Sequence, residues 1–240
     1  METKVALITG ANSGVGQAVT RSLATAGFNI AAQYYSNDAA AQAVEKDAQG
    51  SGVEVELLKC DLTKPGQAKD MADAVMEKFG RIDVLVNIIG PFYFGDILSF
   101  TPERWREAIN MNLNINFDVT YYAREHICAS KGHIINFSFA GSENVRPIGR
   151  VTAYGIAKTG VTILSKTLAQ SLAPFGVRVN TISPGLFEVV HGTEEELSRQ
   201  VPLGRIGKPE EIGETVKWLV TESPEYVTGA NISVAGAWEG

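Results

Sequence analysis

Lys4-Val5-Ala6-Leu7-Ile8-Thr9-Gly10-Ala11-Asn12-Ser13-Gly14-Val15-Gly16 joins a short apolar run to a helical pattern through three glycines. A run of strand character, a turn and an immediate helix over residues 15–26 make the first half of a βαβ unit. Glycine at positions 10, 14 and 16 lets the backbone turn sharply, approach an anion closely and pack the helix against the strand. The helix N-terminus adds N–H groups that lack intrahelical acceptors, so the chemistry this turn offers is binding of a pyrophosphate. A tight packing turn is the alternative, and the placement between first strand and first helix favours the anion site.

The same alternation continues outward. Strand patterns at residues 29–34, 53–59 and 84–87 are separated by helical patterns at 38–49 and 65–79. A long helical stretch over 102–129, a strand at 133–137, a helix at 152–173, a strand at 178–182, a helix at 209–220 and a strand at 231–234 complete the series. Gly27, Gly50, Gly80 and Gly176 stop helices where strands begin, and Pro102 and Pro209 stand at helix starts. The expected fold is α/β: a Rossmann-like, doubly wound, seven-stranded parallel sheet with helices on both faces, in one domain over residues 1–240. The segment 186–205 carries no strand pattern and is the candidate substrate lid, with Glu194, Glu195 and Glu196 read as the solvated face of a short helix.

A net charge of −6 works against a polyanion-binding surface, so nucleic acid is not expected as a partner. No signal-peptide core and no apolar run of about 20 residues is found, which points to a cytoplasmic protein without a membrane partner. Cys60 and Cys128 have no paired spacing and read as small core residues. His126, His133 and His191 have no ligand spacing, so no metal is expected.

The spacing of Gly10, Gly14 and Gly16 resembles that of the short-chain dehydrogenase/reductase family, and the resemblance runs nearly end to end and extends to 3-oxoacyl-carrier-protein reductases and pteridine reductase-like members. It implies that the turn Gly10, Ala11, Asn12, Ser13, Gly14, Val15 and Gly16 holds a nicotinamide dinucleotide. Asp61-Leu62 is similar to that family's adenine contact, Asn87 with Gly90 to its strand-four motif, and Pro184-Gly185 to its nicotinamide-side turn. Tyr34, at the end of strand two, stands where members that use NAD usually place an acid. Without that carboxylate a 2′-phosphate meets no repulsion and can accept hydrogen bonds from Ser36 and Asn37, so NADP(H) is favoured. The Arg or Lys of strong NADP preference is absent at Ser13 and Tyr35, which leaves NAD(H) possible.

Tyr154 and Lys158 lie four residues apart on one helix, so they project from one face and can act together. A phenol of pKa about 10 needs a nearby cation to work as an acid or base at neutral pH, and Lys158 supplies one. The resemblance implies that Tyr154 gives its proton while hydride reaches an electrophilic carbon, with Lys158 and a water on Asn112 as its relay, and that Tyr154 and Lys158 also contact the cofactor. It also implies a homotetramer or homodimer paired through the helices at 102–129 and 152–173, acting on a small-molecule substrate.

The departures are informative. The family's serine donor at the end of strand five falls on Phe139, and Ser138 sits one place before it. Losing such a donor costs about 3 kcal/mol of transition-state stabilisation. Ser138 replaces it if the strand end is bulged, Ser142 if the following loop folds back, and neither is needed if the reacting bond is C=N or a ring carbonyl. Asn87-Ile88-Ile89-Gly90 replaces the usual Asn-Asn-Ala-Gly, and Val189 stands where a threonine often touches the nicotinamide amide. Phe92, Tyr93 and Phe94 are either an aromatic wall for a flat ring such as a pterin or ordinary loop packing. The expected activity is NADP(H)-dependent reduction of a small ketone or a cyclic carbonyl or imine. A 3-oxoacyl-carrier-protein reductase is the alternative enzyme, and a catalytically weak dinucleotide-binding sensor is the alternative of another class.

Overall fold

The computed structural model describes residues 3–187 and 193–239. Strands β1 (Val5–Thr9), β2 (Asn29–Tyr34), β3 (Val55–Lys59), β4 (Val84–Asn87), β5 (His133–Phe137), β6 (Arg178–Pro184) and β7 (Asn231–Val234) form one sheet in the order β3-β2-β1-β4-β5-β6-β7. Every pairing is parallel; Ala6 of β1, for example, stands beside Ile30 of β2 and Val84 of β4. The expected doubly wound sheet is therefore present.

Successive strand residues face opposite sides, which divides the core in two. Ala6, Ile8, Ile30, Val86 and Ile135 pack under α1 (Gly14–Thr25), the end of α2 (Asp38–Gln49) and α8 (Pro209–Thr221). Val5, Leu7, Ala31, Leu85 and Ile134 pack under α3 (Gln67–Phe79), α5 (Ile115–Ser130) and α6 (Thr152–Leu172). After β3 the chain returns to place β4 beside β1, so the turns after these two strands leave in opposite directions. The crevice at their carboxyl ends is where open α/β sheets bind ligands.

The single helix expected over residues 102–129 is instead α4 (Pro102–Ile109), a π turn (Asn110–Asn114) and α5. The Asn112 side-chain amide donates to the Ala108 carbonyl at 3.1 Å, and that of Asn116 to the Asn112 carbonyl at 3.0 Å. Side-chain amides that occupy helix carbonyls widen the ladder locally, and such turns concentrate at functional sites. In the segment 186–205 the acidic triplet opens the short helix α7 (Glu194–Ser198), capped by Thr193. Residues 188–192, which include Val189 and His191, lie outside the described residues.

His133 is buried on β5, and its Nε2 receives the Asn180 side-chain amide at 2.8 Å. That amide also donates to Val227, and its oxygen accepts from Ala230, which fixes its orientation and makes Nε2 an acceptor. Burial pulls the imidazole pKa from 6.5 down to about 3. The unfolded chain therefore binds the extra proton first, and stability present above pH 6.5 is lost as pH falls toward 3, by on the order of a few kcal/mol. His133→Gln keeps an acceptor that does not titrate. In urea unfolding at a series of pH values, the wild type should lose its margin over this variant between neutrality and pH 4.5; a constant margin contradicts the assignment.

Candidate active site

The glycine turn is built as its sequence requires. Gly10 has φ +65°, and a Cβ on Gly16 would lie 2.2 Å from the Gly10 carbonyl oxygen, so this helix start accepts no larger residue. Ser13 caps α1, accepting from Gly16 N–H at 3.0 Å and donating to Gly10 O at 2.9 Å. Gln33 is a buried amide on β2. It accepts from Gly10 N–H at 2.9 Å and donates to the Cys60 carbonyl at 2.9 Å, tying the turn to β3. Its signal in the sequence is a single amide inside the run Ile30-Ala31-Ala32-Gln33-Tyr34.

Asn12 reaches across to β2 and donates to the carbonyls of Ser36 at 2.6 Å and Asn37 at 3.4 Å. Asn37 turns with φ +65° and caps α2 through its side chain. Tyr34 departs from expectation. Its phenol is hydrogen-bonded to Asp38, which pairs with Lys59 at 2.8 Å, so the hydroxyl is engaged at the start of α2. Asp61 turns back on Thr63, accepting from its N–H at 3.0 Å and its hydroxyl at 2.6 Å, and Leu62 is buried in the core, so only its backbone remains for a ligand.

On the other side of the crevice, Asn87 is buried and donates to Asn136 at 2.8 Å and Thr120 at 3.3 Å, joining β4 to β5 and α5. Pro184 accepts from Ala140 N–H at 3.0 Å, and Gly185 donates to Val234 at 3.0 Å. A Cβ on Gly185 would lie 2.7 Å from the Ala235 Cα.

Tyr154 and Lys158 lie on the inner face of α6. The Lys158 amine donates to Phe137 O at 3.0 Å and Ile89 O at 3.4 Å, and sits 6.0 Å from the Tyr154 ring centroid. A Cβ added to Gly90 would lie 2.4 Å from Lys158 Nζ and 2.6 Å from Asn112 Oδ1. Gly90 therefore keeps open the space where amine and amide converge. Asn112 spends its amide on Pro91 and Ala108, and its buried oxygen has no protein partner among the described residues. Such an orphaned acceptor beside an amine is a place for one bridging water. Burial lowers the Lys158 pKa to about 7 and raises that of Tyr154. The phenol is thus held in its proton-bearing form, and the amine is poised to respond to a nearby charge.

Ser138 does not fulfil its expected role. Its N–H donates to Ile182 and that of Ala140 to Pro184, so the ladder to β6 continues without a bulge. Alternation then turns the Ser138 hydroxyl to α6, where it donates to Lys158 O at 2.8 Å and accepts from Thr162 at 2.9 Å. Ser142 is buried against Thr162 at 2.9 Å as well. Phe139 takes the position facing Tyr154, with ring centroids 6.1 Å apart. Phe92 stacks on Tyr154 from the other loop, with centroids 4.4 Å apart and planes 30° apart. The aromatic loop is fastened by Gly95 N–H to Arg150 O at 2.8 Å, just before α6.

The chain is similar to known proteins along nearly its whole length. A family model described as enoyl-(acyl carrier protein) reductase matches residues 10–238. The chain is 36% identical to a 3-oxoacyl-(acyl-carrier-protein) reductase of Thermotoga maritima, over 98% of each chain. It is 34% identical to an uncharacterized oxidoreductase of Methylorubrum extorquens, again over 98% of each. Among solved structures, a blue fluorescent protein from a metagenomic library, in complex with NADPH, superposes with a TM-score of 0.92 at 27% identity, covering 100% of this chain and 99% of the other.

Proposed function

Because the chain belongs to the short-chain dehydrogenase/reductase family and is an oxidoreductase, we propose that it is an NADPH-dependent reductase of a small, flat ketone or ring C=O or C=N group, with Tyr154 as proton donor. The observation that carries this reading is the convergence of Lys158 Nζ and Asn112 Oδ1 over Gly90, next to Tyr154. A bound NADPH would supply hydride from its nicotinamide ring. The turn from Gly10 to Gly16, Asn12 with Ser36 and Asn37, the backbone at Asp61-Leu62, the β4 end from Asn87 to Gly90, and Pro184-Gly185 would hold it.

The chain's own part is to bind, orient and move one proton. Tyr154, pushed up by burial, carries that proton to the heteroatom of the substrate as charge develops there. Lys158 then favours the phenolate by its charge, and the water on Asn112 Oδ1 returns a proton through Lys158. Phe92 and Phe139 exclude water from the face of Tyr154. Preference for the 2′-phosphate is supported by the lack of an acid at Tyr34 and Tyr35, and by the Lys59 ammonium that neutralises Asp38. An expected homodimer or homotetramer is supported by the exposed apolar residues Phe117 and Tyr121 on α5 and Ile156 and Ile163 on α6.

A second reading, reduction of a 3-oxoacyl thioester on an acidic carrier, is favoured by the Thermotoga relative. The α4–α5 arginines speak against it. Arg104 is bound to Phe94 O and lies 4.6 Å over the Phe100 ring, Arg106 pairs with Glu103, and Arg124 pairs with Glu125. Oxidation of NADPH and of NADH against ketones, cyclic imines, dihydropterins and 3-oxoacyl thioesters decides. Turnover with a compact ring and NADPH is the expected result; efficient turnover of the thioester alone reverses the ranking, and tight NADPH binding without turnover of any class defeats both.

A further inference from the structure

A neutral carbonyl that takes up hydride becomes an alkoxide, and the usual answer to that charge is a pair of oriented donors. Here one of the pair is missing. Phe139 occupies its place, and the two neighbouring hydroxyls, Ser138 and Ser142, are buried against Thr162 on α6. The surface around Tyr154 is aromatic, with Phe92 stacked at 4.4 Å and Phe139 tilted at 6.1 Å. Aromatic faces are poor partners for a nascent anion and good ones for a cation, which they attract through their quadrupole.

We propose that the substrate of this site is a small planar iminium cation, a protonated or N-alkylated cyclic imine, received between Phe92 and Phe139 in front of Tyr154. This rests on the reductase reading above and narrows it: a substrate that arrives charged asks no proton of Tyr154, whose acid role is then confined to neutral ketones and imines. The iminium carbon accepts a hydride with both its electrons from the reduced nicotinamide. The π pair of the C=N bond withdraws to nitrogen as a lone pair, the substrate becomes a neutral amine, and the nicotinamide is oxidised. No anion forms at any point, so no second donor is needed. Phe92, half exposed, is the wall that yields to the entering ring, whereas Phe139 is fixed where β5 ends. The Lys158 amine beside Tyr154 is turned to the carbonyls of Phe137 and Ile89 and shifted by burial toward its neutral form.

The test compares N-methyl-3,4-dihydroisoquinolinium, a permanent cation, with 1-tetralone, a neutral ketone of the same size, as substrates with NADPH. In parallel, N,N-dimethyl-tetrahydroisoquinolinium, a cation that cannot accept hydride, is titrated into the protein by calorimetry. The expected result is kcat/KM at least about tenfold higher for the cation and saturable binding of the saturated analogue. Phe139→Ser should invert the substrate preference and weaken analogue binding. Phe139→Leu, which keeps an apolar wall without a π face and is the safer variant for folding, should weaken the analogue without improving the ketone. Turnover of 1-tetralone in preference to the cation, with no analogue binding, overturns the inference and leaves the reductase reading intact. Analogue binding sensitive to both variants, with neither compound oxidising NADPH, supports the cation site and counts against the reductase reading.

Discussion

Tyr154→Phe is expected to lower kcat/KM by about a thousandfold for any ketone or neutral imine that must take up a proton, within the range of 10² to 10⁴ that positioned acid catalysis contributes. The substitution removes one hydroxyl and leaves the ring. The stacking with Phe92 at 4.4 Å and the contact with Phe139 at 6.1 Å should persist, and so should the thermal midpoint. Burial, with no hydrogen bond beside it, is what raises the pKa of this hydroxyl, so its loss orphans no buried group. NADPH affinity should change little, because the glycine turn and the amine of Lys158 are untouched. Steady-state NADPH oxidation together with a fluorescence titration of the cofactor separates the two effects. A variant that keeps full activity on a neutral ketone removes Tyr154 as the acid.

The second large effect belongs to a residue with no side chain. Gly90→Ala places a methyl group 2.4 Å from Lys158 Nζ and 2.6 Å from both Lys158 Cε and Asn112 Oδ1. These neighbours have nowhere to go: the amine is held to Phe137 O at 3.0 Å, and the Asn112 amide is fixed by two backbone carbonyls. Overpacking of this kind costs about 1–3 kcal/mol, which in a chain of this size lowers Tm by several degrees. The kinetic loss should exceed it. Moving the amine away from Tyr154 by about 1 Å is enough to cost on the order of a hundredfold in rate. Gly149→Ala is the control, since a Cβ there meets nothing within 4 Å and its φ is not positive. Unchanged kcat/KM in Gly90→Ala would show that the Lys158 and Asn112 arrangement does not limit the reaction.

The parts of this protein that were legible in sequence depend on residues close together along the chain. The short apolar run of β1, the glycines that follow it and the repeated strand–helix alternation led to the correct sheet and to the tight turn between β1 and α1. Tyr154 and Lys158 were placed on one helix face by their spacing alone, and Asn112 arrived beside them as expected. The π turn at Asn110–Asn114 was not legible, because helical periodicity does not report that side-chain amides will compete for carbonyls. Nor was the orientation of Ser138, which depended on whether β5 was bulged.

By itself, then, the sequence determined the α/β architecture, the glycine turn between β1 and α1 and the shared helix face of Tyr154 and Lys158, since short-range stereochemistry dictates turns, helix faces and strand alternation. Only the tertiary structure decided what surrounds them. The unbroken β5–β6 ladder sends Ser138 into the core and Phe139 toward Tyr154, the loop fastened at Gly95 lays Phe92 on the same ring, and Gln33 locks the glycine turn to β3. These contacts join residues far apart in the chain, and the packing of one element against another, rather than any local preference, selects among the orientations each side chain can adopt.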